Sequence, residues 1–248
     1  MEREHMGMNR TGIQMSPNDA KAMQDIEPGV QEAGGEEARS RVCAAYIAEA
    51  GALGSVPLPA TLRGAVATGS MLFKGENPQL LIDKLGERIA FERTGTRLYD
   101  ALIAKCEVLL DDTISMTLDD LRRIRADEAR HMALVADAVD TLGGDPTAVT
   151  PSGDLAGVES IGLIQVINDP RTSIAQCLHA ILTAELSDRS GWEILIALAD
   201  AHDLDDLVLQ FSEALDAERE HVALVETWYA ESIGLTYGDV TLGGAHDA

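Results

Sequence analysis

The sequence predicts an all-α chain built on an antiparallel four-helix bundle. A long crossover is expected between the second and third helices, and a helical extension at the N-terminus. Two observations carry this. Four long segments, about 79–110, 118–142, 173–200 and 204–232, repeat apolar residues at three- and four-residue spacing. Aromatic residues make up only 4% of the chain while Ala, Leu, Ile and Val dominate, which suits close-packed helices better than sheets.

The elements follow in order. Residues 1–35 lack periodicity and are rich in Gly, Glu, Met and Asn, so they are expected to form a flexible segment. Residues 36–78 read as a helical extension, with a helix near 36–50, a break at the two prolines of GALGSVPLPA and a short helix near 61–73. The bundle spans 79–232, and 233–248 is a tail. Thr117 with Asp120 and Asp203 with Asp206 resemble N-cap pairs for the second and fourth bundle helices, and Gly143-Gly144 closes the second. Short loops within each hairpin make the joined helices antiparallel. Residues 143–172 are long enough to cross the bundle and are expected to hold a short helix beginning after Ser152.

Composition narrows the function. With 19 basic and 42 acidic residues the net charge is −23, which repels nucleic acid and anionic membrane surfaces and attracts cations. Cys43, Cys106 and Cys177 lie far apart without a Cys-x-x-Cys pair, so neither a zinc ribbon nor a disulfide framework is expected. Neither a secretion signal at the start nor a membrane span is evident, and cytoplasm is the expected location.

The chemistry sits in a repeat. Glu92 is followed seven residues later by Tyr99-Asp-Ala-Leu-Ile-Ala104, and Glu185 seven later by Trp192-Glu-Ile-Leu-Ile-Ala197. The second helix carries Glu128-Ala-Arg-His131-Met-Ala-Leu-Val135 and the fourth Glu218-Arg-Glu-His221-Val-Ala-Leu-Val225. Glu and His three apart share a helix face and can grasp one ion together. Each Glu also lies on an apolar stripe: Glu92 with Leu85, Ile89 and Cys106, Glu128 with Leu121 and Ile124, Glu185 with Leu178 and Ile181, and Glu218 with Phe211 and Ala214. All four carboxylates are therefore expected to point inward, where each would cost several kcal/mol unless neutralised. Two divalent cations balance four carboxylates. One imidazole per metal among carboxylates suits iron, or alternatively manganese, better than zinc.

In these motifs the chain resembles the ferritin-like dimetal-carboxylate superfamily, particularly rubrerythrins and bacterioferritins, over about residues 79–232. The resemblance implies a ferritin-like bundle binding two metal ions through Glu92, Glu128, His131, Glu185, Glu218 and His221. Glu128 and Glu218 would bridge, His131 and His221 would each cap one ion, and Tyr99 would stand beside the ligands, a place where the other half has Trp192. It further implies a diiron oxidoreductase of peroxidase or ferroxidase type, acting on hydrogen peroxide or dioxygen and serving in oxidative stress. Rubrerythrins carry a rubredoxin-like iron site of Cys-x-x-Cys pairs and this chain has none, so electrons are expected from a separate donor. A dimanganese catalase, an iron-storage protein and a metal-free structural or partner-binding bundle are the alternatives, and a homodimer is allowed.

The remaining acidic and imidazole groups are read more plainly. Glu87 competes with Glu92 but has no counterpart in the second half, and Asp188 either supports the ligands or is solvated. His179 and His202 lack a core-facing acidic partner at i+3 or i+4, His246 lies in the tail, and the third Glu-x-x-His, Glu2 to His5, has no apolar stripe. Cys106 and Cys177 are expected to be buried thiols.

Overall fold

The computed structural model describes residues 18, 21, 34–57 and 78–236, and among these it contains helices and no strand. The chain divides into two units, Met1–Leu53 and Gly54–Ala248. In the first unit α1 (Gly34–Glu49) opens with Glu36 and Glu37 in its first turn, where the helix dipole favours negative charge. Its Val42, Tyr46 and Ile47 are exposed. The expected helix at 61–73, Glu2, His5 and His246 lie outside the described residues, as do most of 1–35 and of 233–248.

The second unit contains α2 (Pro78–Leu109), α3 (Leu118–Thr141), α4 (Pro151–Glu159), α5 (Ile161–Asn168), α6 (Ile174–Asp200) and α7 (Asp205–Ser232). Helices α2 and α3 pack as one hairpin, α6 and α7 as the other, and α4 with α5 forms the crossover. Two hairpins joined by one long crossover make this a ferritin-like bundle. No helix among the described residues is long and apolar enough to cross a membrane.

Local chemistry sets the helix ends. Thr117 Oγ1 accepts a bond from Asp120 N while the Asp120 carboxylate accepts one from Thr117 N, forming a capping box. At the other end of α3, Gly143 (φ 82°) donates to Asp140 O and Gly144 to Val139 O, both at 2.9 Å, the paired bonds of a Schellman cap. The sequence expectation fails at α7. Asp203 has φ 56° and Leu204 is the N-cap, with no side-chain bond to the first turn. A capping side chain needs an extended backbone to swing over the helix end, and a left-handed residue cannot supply it.

The crossover also differs from the expected single helix after Ser152. Thr150 caps α4 through Gly153 N, with Pro151 in the first turn, and Ser160 ends α4 and begins α5. Both ends of the crossover are tied to α2. Ser152 donates to Asp83 from its backbone (2.9 Å) and its hydroxyl (2.6 Å), and Lys105 Nζ donates to Asp169 O (2.7 Å) and Thr172 O (3.1 Å). Asp83 and Lys105 are about six turns apart on α2, so the crossover runs most of the bundle's length, roughly 33 Å at 1.5 Å per residue.

Two apolar clusters fill the bundle. One holds Leu98, Leu102, Leu121, Ile124, Leu178, Ile181, Val225 and Trp228; the other holds Leu81, Leu85, Val135, Val139, Trp192, Leu195, Phe211 and Leu215. Every bundle helix passes from one cluster to the other, and the buried glutamates Glu92, Glu128, Glu185 and Glu218 lie at the crossing point. Thr117→Ala should lower the unfolding free energy by about 1 kcal/mol, the usual cost of a lost N-cap, read from the midpoint of a urea transition.

Candidate metal centre

The polar layer between the clusters brings together all six residues singled out in the sequence. Glu92, Glu218 and His221 are fully buried, Glu128 is 1% exposed, Glu185 3% and His131 7%. Their donor atoms form two groups, Glu92 with His131 and Glu218, and Glu128 with Glu185, Glu218 and His221, with the atoms of each group within 4.8 Å of one another. Glu218 belongs to both. A third group joins Glu92, Glu128 and Glu218 to Asp188.

Both imidazoles turn Nδ1 toward the carboxylates. His131 Nδ1 lies 2.6 Å from Glu218 Oε1 and 3.9 Å from Glu92 Oε2. His221 Nδ1 lies 3.1 Å from Glu218 Oε2, 3.5 Å from Glu128 Oε1 and 3.8 Å from Glu185 Oε2. The ring centroids are 6.3 Å apart. Gly95 leaves room for this packing, because a Cβ there would run into the Glu128 carboxylate.

Electrostatics measure the strain of this arrangement. Burial, then neighbouring negative charge, raises the pKa of Glu185 well above the usual range; burial and Asp188 do the same for Glu92, against Arg88. Asp188 is raised by burial, against Arg88, and Glu128 by burial and Glu218. Glu218 goes the other way: burial works against it, but hydrogen bonds from His131 and His221 hold it at about 2. Burial also disfavours a charged His221, yet bonds to Glu128 and Glu218 raise it to about 11. These directions favour protonated Glu92, Glu128, Glu185 and Asp188 beside a charged His221.

A cation fits this donor set. Glu92 Oε2 and Glu185 Oε2 are buried without a hydrogen-bond partner, and the other carboxylate oxygens meet only one another, the two imidazoles, Tyr99 and Arg88. Buried polar atoms are seldom left so, and oxygen and imidazole donors at this spacing are what a divalent ion takes.

The structure also shows the residues around the ligands: Tyr99, already named from the sequence, and Asp127 and Arg88, which sequence reading passed over. Tyr99, on α2, donates its hydroxyl to Glu185 Oε1 at 2.5 Å, across the bundle. Asp127 is buried with Oδ2 3.3 Å from His221 Nε2, and also pairs with Arg130 and, at 3.8 Å, with Arg123. Arg88 is 5% exposed, its Nε 3.2 Å from Glu92 Oε1 and its Nη1 2.9 Å from Asp188 Oδ1 and 3.0 Å from Asp188 O. Arg88 stands one turn before Glu92 on the same face as Leu81 and Leu85, a placement the stripe would have revealed. The bond from Asp127 to His221 spans 94 positions and leaves no such trace. Asp188, read as either supporting or solvated, is buried and paired.

Other candidates stay outside the layer. Glu87 pairs with Lys84, and His179 is exposed and packs on Tyr229 with ring centroids 5.5 Å apart. His202 bonds Leu198 O through Nδ1 at 2.7 Å. Cys106 and Cys177 are free buried thiols, and burial, with Cys177 adding to it, pushes the Cys106 thiol up to about 12.

No family model matches the chain, and no curated protein matches it. Among solved structures, one described as ferritin-like, diiron-carboxylate proteins from Bacillus anthracis str. Ames is 18% identical, covering 60% of this chain and 94% of that chain, with a TM-score of 0.48.

The pKa directions set the pH response of the metal-free protein. Glu92, Glu128, Glu185 and Asp188 keep protons in the fold above the values near 4 at which they lose them when unfolded, so their contribution falls as pH rises from there. His221 contributes fully below 6.5 and loses its contribution as pH rises toward about 11; Glu218 contributes above 4.5 and loses its contribution as pH falls toward about 2. Urea midpoints of chelator-treated protein should therefore peak near pH 5 and decline toward pH 8. A midpoint that rises between pH 5 and 8 would contradict the protonated carboxylates.

Proposed function

We propose that this chain is a diiron oxidoreductase that reacts with hydrogen peroxide or dioxygen. The observation behind the reading is the buried layer in which six donor side chains from four helices turn carboxylate oxygens and imidazole nitrogens toward one another. Glu92 and His131 would hold one ion and Glu185 and His221 the other. Glu218, common to both donor groups, and Glu128 would span the two. Four glutamates balance two divalent ions, and the surplus Asp188 already has Arg88. Two ferrous ions would supply the two electrons that, with two protons, take hydrogen peroxide to two waters, a separate donor restoring them.

The protein's own groups define the setting for that chemistry. Burial and then the Glu185 charge push the Tyr99 hydroxyl well above its ordinary pKa, so it stays protonated and pins Glu185 Oε1 while Oε2 remains free. Asp127 accepts from His221 Nε2 and thereby presents Nδ1 to the centre, the usual service of a carboxylate behind a ligating histidine. The apolar clusters on either side exclude water and lower the local dielectric.

Anaerobic reconstitution with ferrous ion should give close to two irons per chain, and stoichiometric peroxide should then oxidise both, followed by ultraviolet–visible absorption. Glu128→Ala and His221→Ala should each lose about one ion or more per chain in elemental analysis, because removing a ligand undermines affinity and the folding linked to it. Full occupancy in both variants would sink the assignment. Two manganese ions in protein purified from metal-replete cells, with rapid peroxide disproportionation and no added reductant, would replace the oxidoreductase with a catalase. Tyr99→Phe should keep both ions and slow oxidation several-fold, measured by stopped-flow absorption.

A further inference from the structure

The two halves of the sequence repeat their ligands but not the groups behind them. Glu185 receives an uncharged hydroxyl from Tyr99, whereas its counterpart Glu92 meets the permanent charge of Arg88 at 3.2 Å. The residue of α6 equivalent to Arg88 is Ile181. His221 has Asp127 behind it at 3.3 Å, while the residue of α7 equivalent to Asp127 is Ala217, and His131 packs edge-on against Trp192 at 5.5 Å instead.

Three further facts point the same way. The Glu185 group gathers its imidazole and three carboxylates in one four-donor set, whereas around Glu92 the donors divide between a set of three with His131 and a separate set with Glu128 and Asp188, the latter already paired with Arg88. His221 is fully buried and His131 7% exposed. A surface depression lined by Lys84, Glu87, Arg88, Gly191, Ile194 and Leu195 reaches Arg88. Gly191 is what admits the guanidinium, since a Cβ there would run into Nη1.

We propose that the two metal positions are inequivalent: the one held by Glu185 and His221 binds first and tightly, and the one held by Glu92 and His131 binds second, weakly and exchangeably. Arg88 is the positioning residue that sets the difference. Its charge competes with an incoming cation for Glu92 and repels it, a direct Coulomb effect in a layer of low dielectric. Asp127 works oppositely by raising the basicity of His221. This rests on the dimetal reading.

Cobalt(II) added to the metal-free full-length chain, followed by calorimetry and by its visible absorption, tests it. Two steps at least tenfold apart in dissociation constant are expected. His131→Ala should remove only the weaker step, and Asp127→Asn should weaken only the tighter one. Arg88→Gln should tighten the weaker step at least threefold, while Arg88→Lys, which keeps the charge, should preserve the gap. Two ions bound in a single step, or loss of the tighter step in His131→Ala, would overturn the inequivalence and leave the dimetal reading standing. Absence of stoichiometric cobalt binding would overturn both. Should Arg88→Gln fail to fold, an Asp127→Asn variant whose two steps match those of the wild type would still overturn the proposal.

Discussion

Burying four glutamates at one level of an apolar bundle is the constraint on which the rest of this structure depends. An ionised carboxylate taken from water costs several kcal/mol even after relaxation, and a domain of this kind has only about 5–15 kcal/mol of net stability to offset it. The layer therefore cannot persist with all its carboxylates charged and unpaired. The structure answers by distributing charges. Arg88 takes Asp188, Arg123 and Arg130 take Asp127, and the imidazoles stand among the glutamates. The apolar clusters on either side fix the rotation of each helix, because turning one helix by a single residue would drive its glutamate into hydrocarbon and a leucine into the polar layer.

Much of this arrangement was legible from spacing alone. Helical periodicity located the four long helices to within a residue or two, and the two Glu-x-x-His motifs, with the matching registers of Glu92 and Glu185, named the six side chains that meet at the centre. Local rules also succeeded where the signal was local, as at Thr117 with Asp120 and at Gly143 with Gly144. They failed at Asp203, whose left-handed backbone is set by how the chain turns between α6 and α7 and not by its neighbours in sequence. The break at Ser160 is likewise set by tertiary ties, since the crossover must meet α2 at both Asp83 and Lys105.

The supporting residues were harder to read, for a physical reason. A ligand motif is short and repeats within a helix, but much of its support comes from another helix: Tyr99 acts on Glu185, Asp127 on His221, and Arg88, beside Glu92 on its own helix, also reaches across to Asp188. Each pair is far apart in sequence and becomes visible only when the hairpins are packed. The repeat conceals this. It suggests twofold equivalence, whereas the polar groups around the ligands have diverged into a hydroxyl and carboxylate on one side and a guanidinium and indole on the other.

Gly95 shows how small a change in sequence would move one carboxylate out of the donor layer. A methyl group there meets mainly the far end of the Glu128 side chain, which can swing aside without disturbing the backbone. The helices, both Glu-x-x-His motifs and the apolar layers would all survive while the carboxylate lost its place. Among chains of this architecture, a motif search would then count members that keep every ligand letter and have lost the ability to use them. The small residue opposite the carboxylate belongs to no ligand pattern, yet the place of Glu128 depends on it.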